Sequence, residues 1–471
     1  MRVSFLQNMG IDQFGVMYIS AMLKGQGHKC EAFIDGVEKN FMDVVVKSKP
    51  DVIAISSSTS EHKWLRRTVA TVKEQLDVPI IVGGPHATFY PDILEKDKNI
   101  DAICIGEGDE AAVEIFDRWE SGKDATKVRN MWVRKDGKMH HNPVRKLNED
   151  LDSLPFPDRE IYYSKYKYMR NVSIKKFLAG RGCPYDCSYC HNHQEKDLYK
   201  GHGKYVRYRS VSNVIEEIKD VEKKYGMKRL TFSDDTFIIN RKWLEEFLSE
   251  YKKEVGIPFN CNVRANLIDE DLVKKLKDAN CVSVAMGTES GNEELRDRVL
   301  CKHITNAQIL DSCRLFRKYG IKYKSFNMMC LPDETIEQGW DTVRLNAQMK
   351  ADMATCLILQ PYPRLAITNY AISKGYLPKN YNVEFLDELK HSYAVIDSPD
   401  KKLLENLSAF VMICAKHPSL IPFVRPLIKL PPNKLFKLFS NVTYAYYTLK
   451  MYELGMREVV EYALNSRYRT Q

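Results

Sequence analysis

The chain has 471 residues, of which 44% are hydrophobic and 28% charged, and it carries a formal net charge of +9 at pH 7. This length excludes a single ordinary hydrophobic core and predicts two or three domains. The composition excludes a disordered chain, and no apolar run approaches the roughly 18 residues that a membrane-spanning helix needs.

Residues 1–120 alternate short apolar strands with amphipathic helices. Strands are predicted at Arg2–Leu6, Lys29–Ile34, Val52–Ser56, Ile80–Val82 and Ala102–Ile105. The helices between them are predicted at Phe14–Gly25, Val37–Lys47, Lys63–Leu76 and Asp109–Glu120. This alternation predicts a doubly wound, Rossmann-like α/β fold, which binds its ligand outside the carboxyl ends of the strands.

The turns at those strand ends are rich in glycine and hydroxyl residues. They comprise Asn8–Phe14, Ser56–Thr59, Gly83–Ala87 and Gly106–Gly108. Such turns let backbone amides approach a broad polar ligand closely. None of them matches the G-x-G-x-x-G nucleotide fingerprint, and a scaffold without a ligand is the alternative interpretation.

Residues 121–170 are hydrophilic, with a hairpin predicted at Met131–Met139 and a proline-punctuated linker at Leu154–Asp158. A second strand–helix alternation starts at about residue 171. Its strands are predicted at Val172–Ala179, Arg229–Ser233, Phe259–Asn262, Val282–Gly287, Lys322–Met329 and Ala354–Leu359. Six parallel strands with crossing helices predict a partial (β/α)6 barrel, whose reactive loops follow the strand ends.

The positive charge is concentrated at the end of the chain. Residues 401–471 hold eleven Lys and Arg against four Glu, together with apolar runs at Leu407–Ala415, Leu420–Leu430 and 444–447. We interpret this region as a helical cap over the open end of the barrel. The alternative is contact with an anionic membrane face, or with a long apolar or acidic ligand. Nucleic-acid binding is not expected, because the basic residues are dispersed and no recognition motif accompanies them.

Three cysteines directly follow the first barrel strand. Cys183, Cys187 and Cys190 have the spacing C-x3-C-x2-C, and one loop can fold their thiolates around a single iron–sulfur cube. A [4Fe–4S] cube has four irons, so three ligands leave one iron open to another molecule. The alternative is a closed Cys3His zinc site completed by His191 or His193, but zinc ligands usually come as two separated pairs.

The cysteine loop, with Tyr189 in its aromatic slot, resembles the C-x3-C-x-aromatic-C motif of the radical S-adenosylmethionine superfamily. Five further segments resemble motifs of a large branch of that superfamily: Phe232–Phe237, Asn262–Arg264, Gly287–Gly291, Leu331–Thr335 and Pro361–Pro363. Gly83–Ala87 with Gly106–Glu110 is similar to the cobalamin-binding module fused ahead of the barrel in this branch. The ordered set covers roughly residues 1–385 and is highly specific.

The sequence departs from the pattern of this branch at three places. Asp333, and Arg364 with Leu365, stand where glycines are usual, so different backbone shapes are expected in those two loops. Cys330 stands just before Leu331, where a glycine is common. Residues 8–14 hold no histidine where the branch has a D-x-H-x-x-G motif. The resemblance therefore implies a cobalamin whose cobalt has no histidine on its lower face.

The resemblance implies four segments and three cofactors. The segments are a Rossmann-like cobalamin-binding domain at 1–135, a linker at 136–170, a radical S-adenosylmethionine partial barrel at 171–385 and a mainly helical C-terminal extension at 386–471. The cofactors are a [4Fe–4S] cluster, S-adenosylmethionine and cobalamin. The predicted catalytic residues and metal ligands are Cys183, Cys187 and Cys190.

The other predicted cofactor contacts form two groups. The S-adenosylmethionine contacts are predicted to be Tyr189, Asp234, Asp235, Arg264, Glu289 and Ser290. The aspartates suit an ammonium group or ribose hydroxyls, Arg264 a carboxylate, and Glu289 a ribose diol. Helix capping by the aspartates, and a mutual salt bridge between Arg264 and Glu289, are the alternatives. The cobalamin contacts are predicted to be Ser57, Thr59, Gly83, Gly84, Pro85, His86, Gly106 and Glu107.

These features imply a cobalamin-dependent radical methyltransferase. A 5′-deoxyadenosyl radical made from S-adenosylmethionine would activate a carbon, to which methylcobalamin would deliver a methyl group. One alternative keeps both cofactors but performs a ring-forming or oxidative rearrangement of a tetrapyrrole or lipid, as anaerobic tetrapyrrole cyclases do. A non-catalytic cofactor sensor is another. Methylthiolation is rejected, because only Cys30 and Cys104 lie in the N-terminal domain and a second cluster needs three ligands.

The expected partners follow from the same resemblance. They are a small-molecule, lipid or protein side-chain substrate and a one-electron reductant such as flavodoxin or ferredoxin. Twelve cysteines without pairing regularity, and no leader peptide before the first strand, predict a cytoplasmic location. Exposed cluster edges oxidise readily, so activity is expected only under anaerobic conditions.

Overall fold

The computed structural model describes residues 1–386 and 393–452, which contain a seven-stranded sheet, a six-stranded sheet and a two-stranded ribbon. The strands of the first sheet are β1 (Arg2–Gln7), β2 (Lys29–Ile34), β3 (Val52–Ser56), β4 (Ile80–Gly83), β5 (Ala102–Cys104), β6 (Met131–Lys135) and β7 (Lys138–His141). Their order is β2-β1-β3-β4-β5-β6-β7, and β1 to β5 are parallel. The predicted doubly wound sheet is confirmed, because β1, β3, β4 and β5 are mostly buried on both faces and the edge strand β2 exposes Lys29 and Glu31.

The hairpin predicted after this region belongs to the first sheet. Strand β6 pairs antiparallel with β5, and β7 pairs antiparallel with β6. Asp136 and Gly137 form the turn with φ of 50° and 71°. The sheet therefore extends to His141.

Helices cover both faces of the first sheet. They are α1 (Phe14–Gly25), α2 (Phe41–Lys47), α3 (His62–Gln75), α4 (Pro85–Phe89), α5 (Ile93–Lys96) and α6 (Asp109–Glu120). The strand order reverses at β1, whose neighbours are β2 and β3. Doubly wound sheets bind their ligands at such a switch point, beyond the carboxyl ends of the strands.

Two short helices, α7 (Glu160–Tyr163) and α8 (Lys167–Arg170), connect the two sheets. The Tyr162 hydroxyl donates a hydrogen bond to Gln7 Oε1 at 2.6 Å, and the Tyr166 hydroxyl donates to the Ala32 carbonyl at 3.0 Å. Both tyrosines are buried, so this connection is packed onto the first sheet.

The second sheet is a partial barrel. The remaining strands are β8 (Ile174–Phe177), β9 (Gly180–Arg181), β10 (Arg207–Tyr208), β11 (Arg229–Phe232), β12 (Phe259–Val263), β13 (Cys281–Glu289), β14 (Lys322–Met329) and β15 (Met353–Ile358). The order β15-β14-β13-β12-β11-β8 is parallel throughout, which confirms the six predicted strands. Strands β9 and β10 form a separate antiparallel ribbon, and the cysteine loop lies between them.

The barrel helices pack outside this sheet. They are α9 (Asn192–Leu198), α10 (Val211–Tyr225), α11 (Arg241–Glu254), α12 (Glu270–Asp278), α13 (Glu293–Arg298), α14 (Asn306–Lys318), α15 (Ile336–Met349) and α16 (Ala366–Ser373). Asn240, Asp269 and Thr335 cap α11, α12 and α15 by accepting a hydrogen bond from the backbone amide three residues on.

Three loop positions where the resemblance expects glycine keep a glycine-like backbone. Cys330, Asp333 and Arg364 have φ of 61°, 62° and 68°. Contacts from distant segments hold this left-handed conformation, and the expected difference in loop shape at Asp333 and Arg364 stays a prediction. The Asp333 carboxylate, for example, accepts hydrogen bonds from Tyr376 at 2.9 Å and Arg298 at 2.9 Å.

Four helices follow the barrel: α17 (Lys401–Ser408), α18 (Val411–Lys416), α19 (Ile421–Leu427) and α20 (Lys434–Tyr452). The helical extension is confirmed for residues 393–452, whereas 387–392 and 453–471 lie outside the described residues. Helix α20 covers the starts of barrel strands, since Lys322 Nζ donates to the Met451 carbonyl at 3.4 Å. Within the described part of the chain, no helix combines the length and apolarity needed to span a bilayer.

Candidate active site

The cysteine loop lies at the carboxyl end of β8 and is pressed against the β9–β10 ribbon. Gly182 has φ +89°, and a Cβ at this position would lie 2.4 Å from the Tyr205 carbonyl oxygen. Only glycine combines this conformation with so close an approach of two backbone segments. The start of the cysteine loop is therefore packed closely against the backbone at Tyr205.

The three predicted cluster ligands lie along this loop. Cys183 and Cys187 are each 8% exposed, and Cys190 is half-buried. Burial raises the pKa of the Cys183 and Cys190 thiols, so both are protonated at neutral pH without a metal. A bound metal reverses this, because a coordinating thiol loses its proton.

The donor set fits an iron–sulfur cube. Asn192 Nδ2 donates to Cys190 Sγ at 3.3 Å, and Arg264 Nη1 donates to Cys187 Sγ at 3.7 Å. Such donors favour the thiolate form that binds iron. Among the described residues, no three His, Cys, Asp or Glu side chains are grouped as a single metal ion requires. An iron–sulfur cube does not need its ligands grouped around one point, because each thiolate binds a different iron.

Arg264 lies beside the loop with an unused donor. Its guanidinium stacks on Tyr185, 3.7 Å from the ring centroid, and Nη2 donates to the Lys302 carbonyl. Its Nε is buried and has no hydrogen-bond partner in the described structure. A buried, unsatisfied N–H beside a predicted cluster ligand is suited to a carboxylate of a bound molecule.

Glu289 does not pair with Arg264. Its Oε1 accepts hydrogen bonds from Lys302 Nζ at 2.8 Å and from the Tyr189 hydroxyl at 3.0 Å. The alternative of a mutual Arg264–Glu289 salt bridge is therefore wrong, because Lys302 takes the position between them. The buried side chains of Glu289 and Lys302 instead form a polar cluster with the partly buried Tyr189 of the cysteine loop.

The two predicted aspartates differ in role. Asp234 accepts hydrogen bonds from the backbone amides of Gly180 at 2.7 Å and Ala179 at 3.1 Å. It thus connects the end of β11 to the residues just before the cysteine loop, and burial raises its pKa to about 7. Asp235 accepts from Asn192 Nδ2 at 3.0 Å. Neither caps a helix, because α11 begins only after Asn240.

Ser290 is fully buried at the end of β13. Its Oγ accepts a hydrogen bond from the Asn292 amide at 3.2 Å, and Arg296 donates to its carbonyl at 2.6 Å. These contacts shape the turn that carries Glu289.

A cavity of about 380 Å³ lies between the first sheet and the residues just before the cysteine loop, and none of the three cysteines is among the residues that line it. This volume is in the range of small-molecule and cofactor sites. On the first-sheet side it is lined by Ser56, Gly83, Gly84, Gly106, Glu107 and Gly108, among others. On the barrel side it is lined by Gly180, Arg181, Gly182, Asp234 and Asp235, among others. The carboxyl ends of both sheets therefore face one shared space.

The predicted cobalamin contacts divide into two sets around this cavity. Gly83, Gly84, Gly106 and Glu107 line it. Ser57, Thr59, Pro85 and His86 lie outside that lining. His86 is fully buried, pairs with His62 through an Nε2–Nδ1 distance of 2.9 Å, and has its pKa lowered to about 3 by burial. This second set supports the turns, and its assignment to the cofactor stays a prediction.

Ion pairs connect the two sides of the cavity. Arg181 of β9 pairs with Asp109 at 2.6 Å and with Glu107 at 3.2 Å. Arg207 of β10 also pairs with Glu107. Since Glu107 lies in the turn after β5 and Asp109 begins α6, these pairs set the spacing between the first sheet and the β9–β10 ribbon.

Several side chains of the site were not predicted. Lys302, Arg181, Arg207, Asn192 and Tyr185 all contact predicted site residues. Tyr185 and Asn192 lie within two residues of the motif cysteines, so the sequence alone indicates that they are close to the cluster ligands. Lys302 follows no motif, and only its contact with Glu289 identifies it.

Both parts of the molecule match known families. Residues 177–345 match the Radical SAM superfamily, and residues 11–116 match the B12 binding domain. These ranges fall on the partial barrel and on the first sheet, respectively.

Two relatives illustrate the range of activities among similar proteins. An uncharacterised methyltransferase of Pyrococcus horikoshii is 29% identical over 373 residues, covering 77% of this chain and 79% of the relative. The anaerobic magnesium-protoporphyrin IX monomethyl ester cyclase of Rubrivivax gelatinosus is 28% identical over 366 residues, covering 74% of this chain and 64% of the cyclase.

Solved structures share the fold. The radical S-adenosylmethionine methyltransferase TsrM from Kitasatospora setae, with tryptophan substrate and a S-adenosylmethionine analog bound, has a TM-score of 0.65 at 16% identity, over 79% of this chain and 76% of TsrM. The enzyme OxsB, with aqua-cobalamin and S-adenosylmethionine bound, has a TM-score of 0.64 at 17% identity, over 96% of this chain and 72% of OxsB.

The partial barrel and the family match define the protein as a radical S-adenosylmethionine enzyme. More particularly, the chain combines a Radical SAM domain with a B12 binding domain, and both a methyltransferase and a cyclase are similar to it. Its cofactors are a [4Fe–4S] cluster, S-adenosylmethionine and cobalamin.

Proposed function

We propose that the chain is a methyltransferase that transfers a methyl group from methylcobalamin to an unactivated carbon of a small-molecule substrate. Cys183, Cys187 and Cys190 hold the cluster. Residues 1–135 hold cobalamin and residues 171–385 hold the cluster and S-adenosylmethionine, with 136–170 as linker and 386–471 as helical extension.

The shared cavity is the observation that carries this proposal. The turns Gly83–Gly84 and Gly106–Glu107 line one side, and Gly180–Gly182 lines the other. A methyl carrier on the first sheet and a radical source on the barrel must both reach one substrate carbon. A common cavity at the carboxyl ends of both sheets meets that requirement.

The residues of the candidate site have separate tasks in this proposal. When bound, the cluster with S-adenosylmethionine supplies one-electron cleavage of a carbon–sulfur bond, and cobalamin supplies the methyl group. Arg264 offers its unpaired Nε to the carboxylate of S-adenosylmethionine. Glu289, held by Lys302 and Tyr189, accepts ribose hydroxyls. Asp234 holds the backbone at Ala179 and Gly180 so that the cysteine loop keeps its position.

A ring-forming or oxidative reaction is the second candidate. The similarity to an anaerobic cyclase, at 28% identity over 74% of this chain, favours it specifically. Both reactions use the same cofactors and cavity, and they differ in what happens to the activated carbon.

Product mass distinguishes the two candidates. The full chain would be reconstituted without oxygen with iron, sulfide and cobalamin, then given a reductant, a metabolite extract and S-adenosylmethionine carrying a deuterated methyl group. A product that gains one labelled methyl group supports the methyltransferase. A product that loses hydrogens and gains no label supports the cyclase.

Cysteine variants test the assigned cluster ligands. Cys183→Ala should abolish 5′-deoxyadenosine formation and lower the bound iron. Cys301→Ala should leave both unchanged; Cys301 is partly exposed, and its neighbour Leu300 accepts a hydrogen bond from the Ser188 amide of the same loop. Full 5′-deoxyadenosine formation by Cys183→Ala would refute the assignment, and cofactors bound without any turnover would instead support a sensor.

A further inference from the structure

Helix α20 has two contrasting apolar faces. On one side, Tyr447 and Met451 are buried with Met353 and Met412 in a small core cluster. On the other side, five large apolar side chains are exposed: Leu435, Leu438, Phe439, Val442 and Tyr446. Their spacing of three, one, three and four residues places them on one side of the helix. We call these five residues the apolar stripe.

The neighbouring helix α19 enlarges this surface. The Phe423 side chain is 70% exposed, which is close to the 73% exposure of Leu435 in the apolar stripe. Leu427 and Leu430 are also exposed. Val424, Ile428 and Phe436 pack in one core cluster, so α19 and the start of α20 are neighbours. An exposed apolar surface of this kind marks an interaction site in a folded protein.

The charged residues in the segment that carries the apolar stripe all have one sign. Residues 406–452 contain six Lys and Arg and no Asp or Glu. Arg425 pairs with Glu337 of α15 at 3.2 Å. Four exposed lysines form no ion pair with any carboxylate of the described residues: Lys429, Lys434, Lys437 and Lys450.

We propose that α19 and α20 dock this face on an anionic lipid bilayer. The apolar stripe and Phe423 enter the boundary between headgroups and acyl chains, and the lysines contact lipid phosphates. Exposed apolar side chains flanked by cations, on a helix that does not span the membrane, are the features of an interfacial helix. The inference is independent of the methyl-transfer reaction.

Charge favours a bilayer over a second copy of this chain. A twofold contact would bring the same patch of each copy together, and therefore lysines against lysines. Like charges facing each other across an interface cost several kcal/mol in typical cases. An anionic surface neutralises the same lysines.

Vesicle sedimentation tests this proposal with the full-length, cofactor-loaded protein. Vesicles of equimolar phosphatidylglycerol and phosphatidylcholine should bind it, and binding should fall as salt is added. Vesicles of phosphatidylcholine alone should bind it at least about tenfold more weakly. Equal binding to both vesicles, or none to either, would overturn the proposal.

Surface variants locate the contact. Leu435→Ser with Leu438→Ser, and separately Lys434→Gln with Lys437→Gln, should each lower vesicle binding about tenfold. The matched controls are Tyr393→Ser, at another exposed aromatic residue, and Lys252→Gln with Lys274→Gln on the barrel helices. These controls should bind like the natural chain. Unchanged thermal unfolding in all variants confirms that only the surface has changed.

Two results would identify a different occupant and overturn the proposal. If the natural chain is a dimer in sedimentation velocity and the leucine variant a monomer, a second copy covers the stripe. If a chain ending at Tyr452 binds vesicles but the full chain does not, residues 453–471 cover it.

Discussion

The Tyr199 hydroxyl accepts a hydrogen bond from the backbone amide of Glu107 at 2.6 Å. Tyr199 ends helix α9, which follows the cysteine loop, and Glu107 lies in the cavity-lining turn after β5. A Cβ at Gly106 would lie 2.0 Å from this hydroxyl, so the turn leaves room only for glycine beside it. One buried side chain thus joins the cluster side of the active site to the cobalamin side.

Tyr199→Phe should remove the hydrogen bond that joins these two sides. The change leaves the Glu107 amide unsatisfied, which costs about 1–3 kcal/mol for a buried donor. We expect lower stability in urea unfolding and weaker cobalamin binding in a spectroscopic titration. Tyr393→Phe, at an exposed tyrosine, is the control. Natural cobalamin affinity in Tyr199→Phe would show that the turn does not depend on this contact.

Arg264→Lys should impair S-adenosylmethionine binding while keeping the cluster. Lysine retains the positive charge but cannot stack a planar group on Tyr185. It also lacks the several N–H donors with which Arg264 can bind Cys187 and a carboxylate at the same time. We expect S-adenosylmethionine affinity to fall roughly tenfold, which corresponds to about 1.4 kcal/mol. Electron paramagnetic resonance of the reduced cluster, titrated with S-adenosylmethionine, measures this change. Iron content should equal that of the natural protein, and a loss of iron would assign Arg264 to the cluster instead.

Glu334 should make the stability depend on pH. Its Oε2 accepts a hydrogen bond from the Leu331 amide at 3.0 Å, and burial raises its pKa from 4.5 to about 8. Between about pH 4.5 and 8 the folded chain therefore keeps a proton that the unfolded chain has lost, so this group lowers stability as pH rises.

Glu334→Gln removes this titration and keeps a similar shape. Relative to the natural chain, the variant should gain on the order of 3 kcal/mol between pH 5.5 and pH 8. Urea unfolding at the two pH values measures the change. A constant difference between the two proteins would contradict the raised pKa.

Glu217→Gln should destabilise the contact between the connection and the barrel. Glu217 accepts hydrogen bonds from Arg159 at 2.8 Å and from Arg209, and all three side chains are buried. Removing the anion leaves two buried cations without compensation, which typically costs about 3–5 kcal/mol. Thermal unfolding measures the loss. Glu254→Gln, which breaks only the exposed pair with Lys219, should change stability by less than about 1 kcal/mol.

The strands and the cysteine loop could be predicted from the sequence because the patterns that mark them span only a few neighbouring residues. Strand β14 was predicted with its observed limits, Lys322–Met329, since an apolar run with a helix on each side needs no distant information. The pairing of Tyr189 with Lys302 was not readable, because 113 residues separate them and no motif marks the lysine. The same holds for Tyr199 and Glu107, which are 92 residues apart.

By itself, the sequence determined the parallel strands of the two sheets, the order of the motifs and the three thiols on one loop, because periodicity and spacing act over a few residues. Tertiary structure alone decided which predicted residues line the common cavity, which of them lie outside its lining, and which cation pairs with Glu289. Those choices arise where segments far apart in the chain pack together, and burial and unsatisfied hydrogen bonds then select the partners.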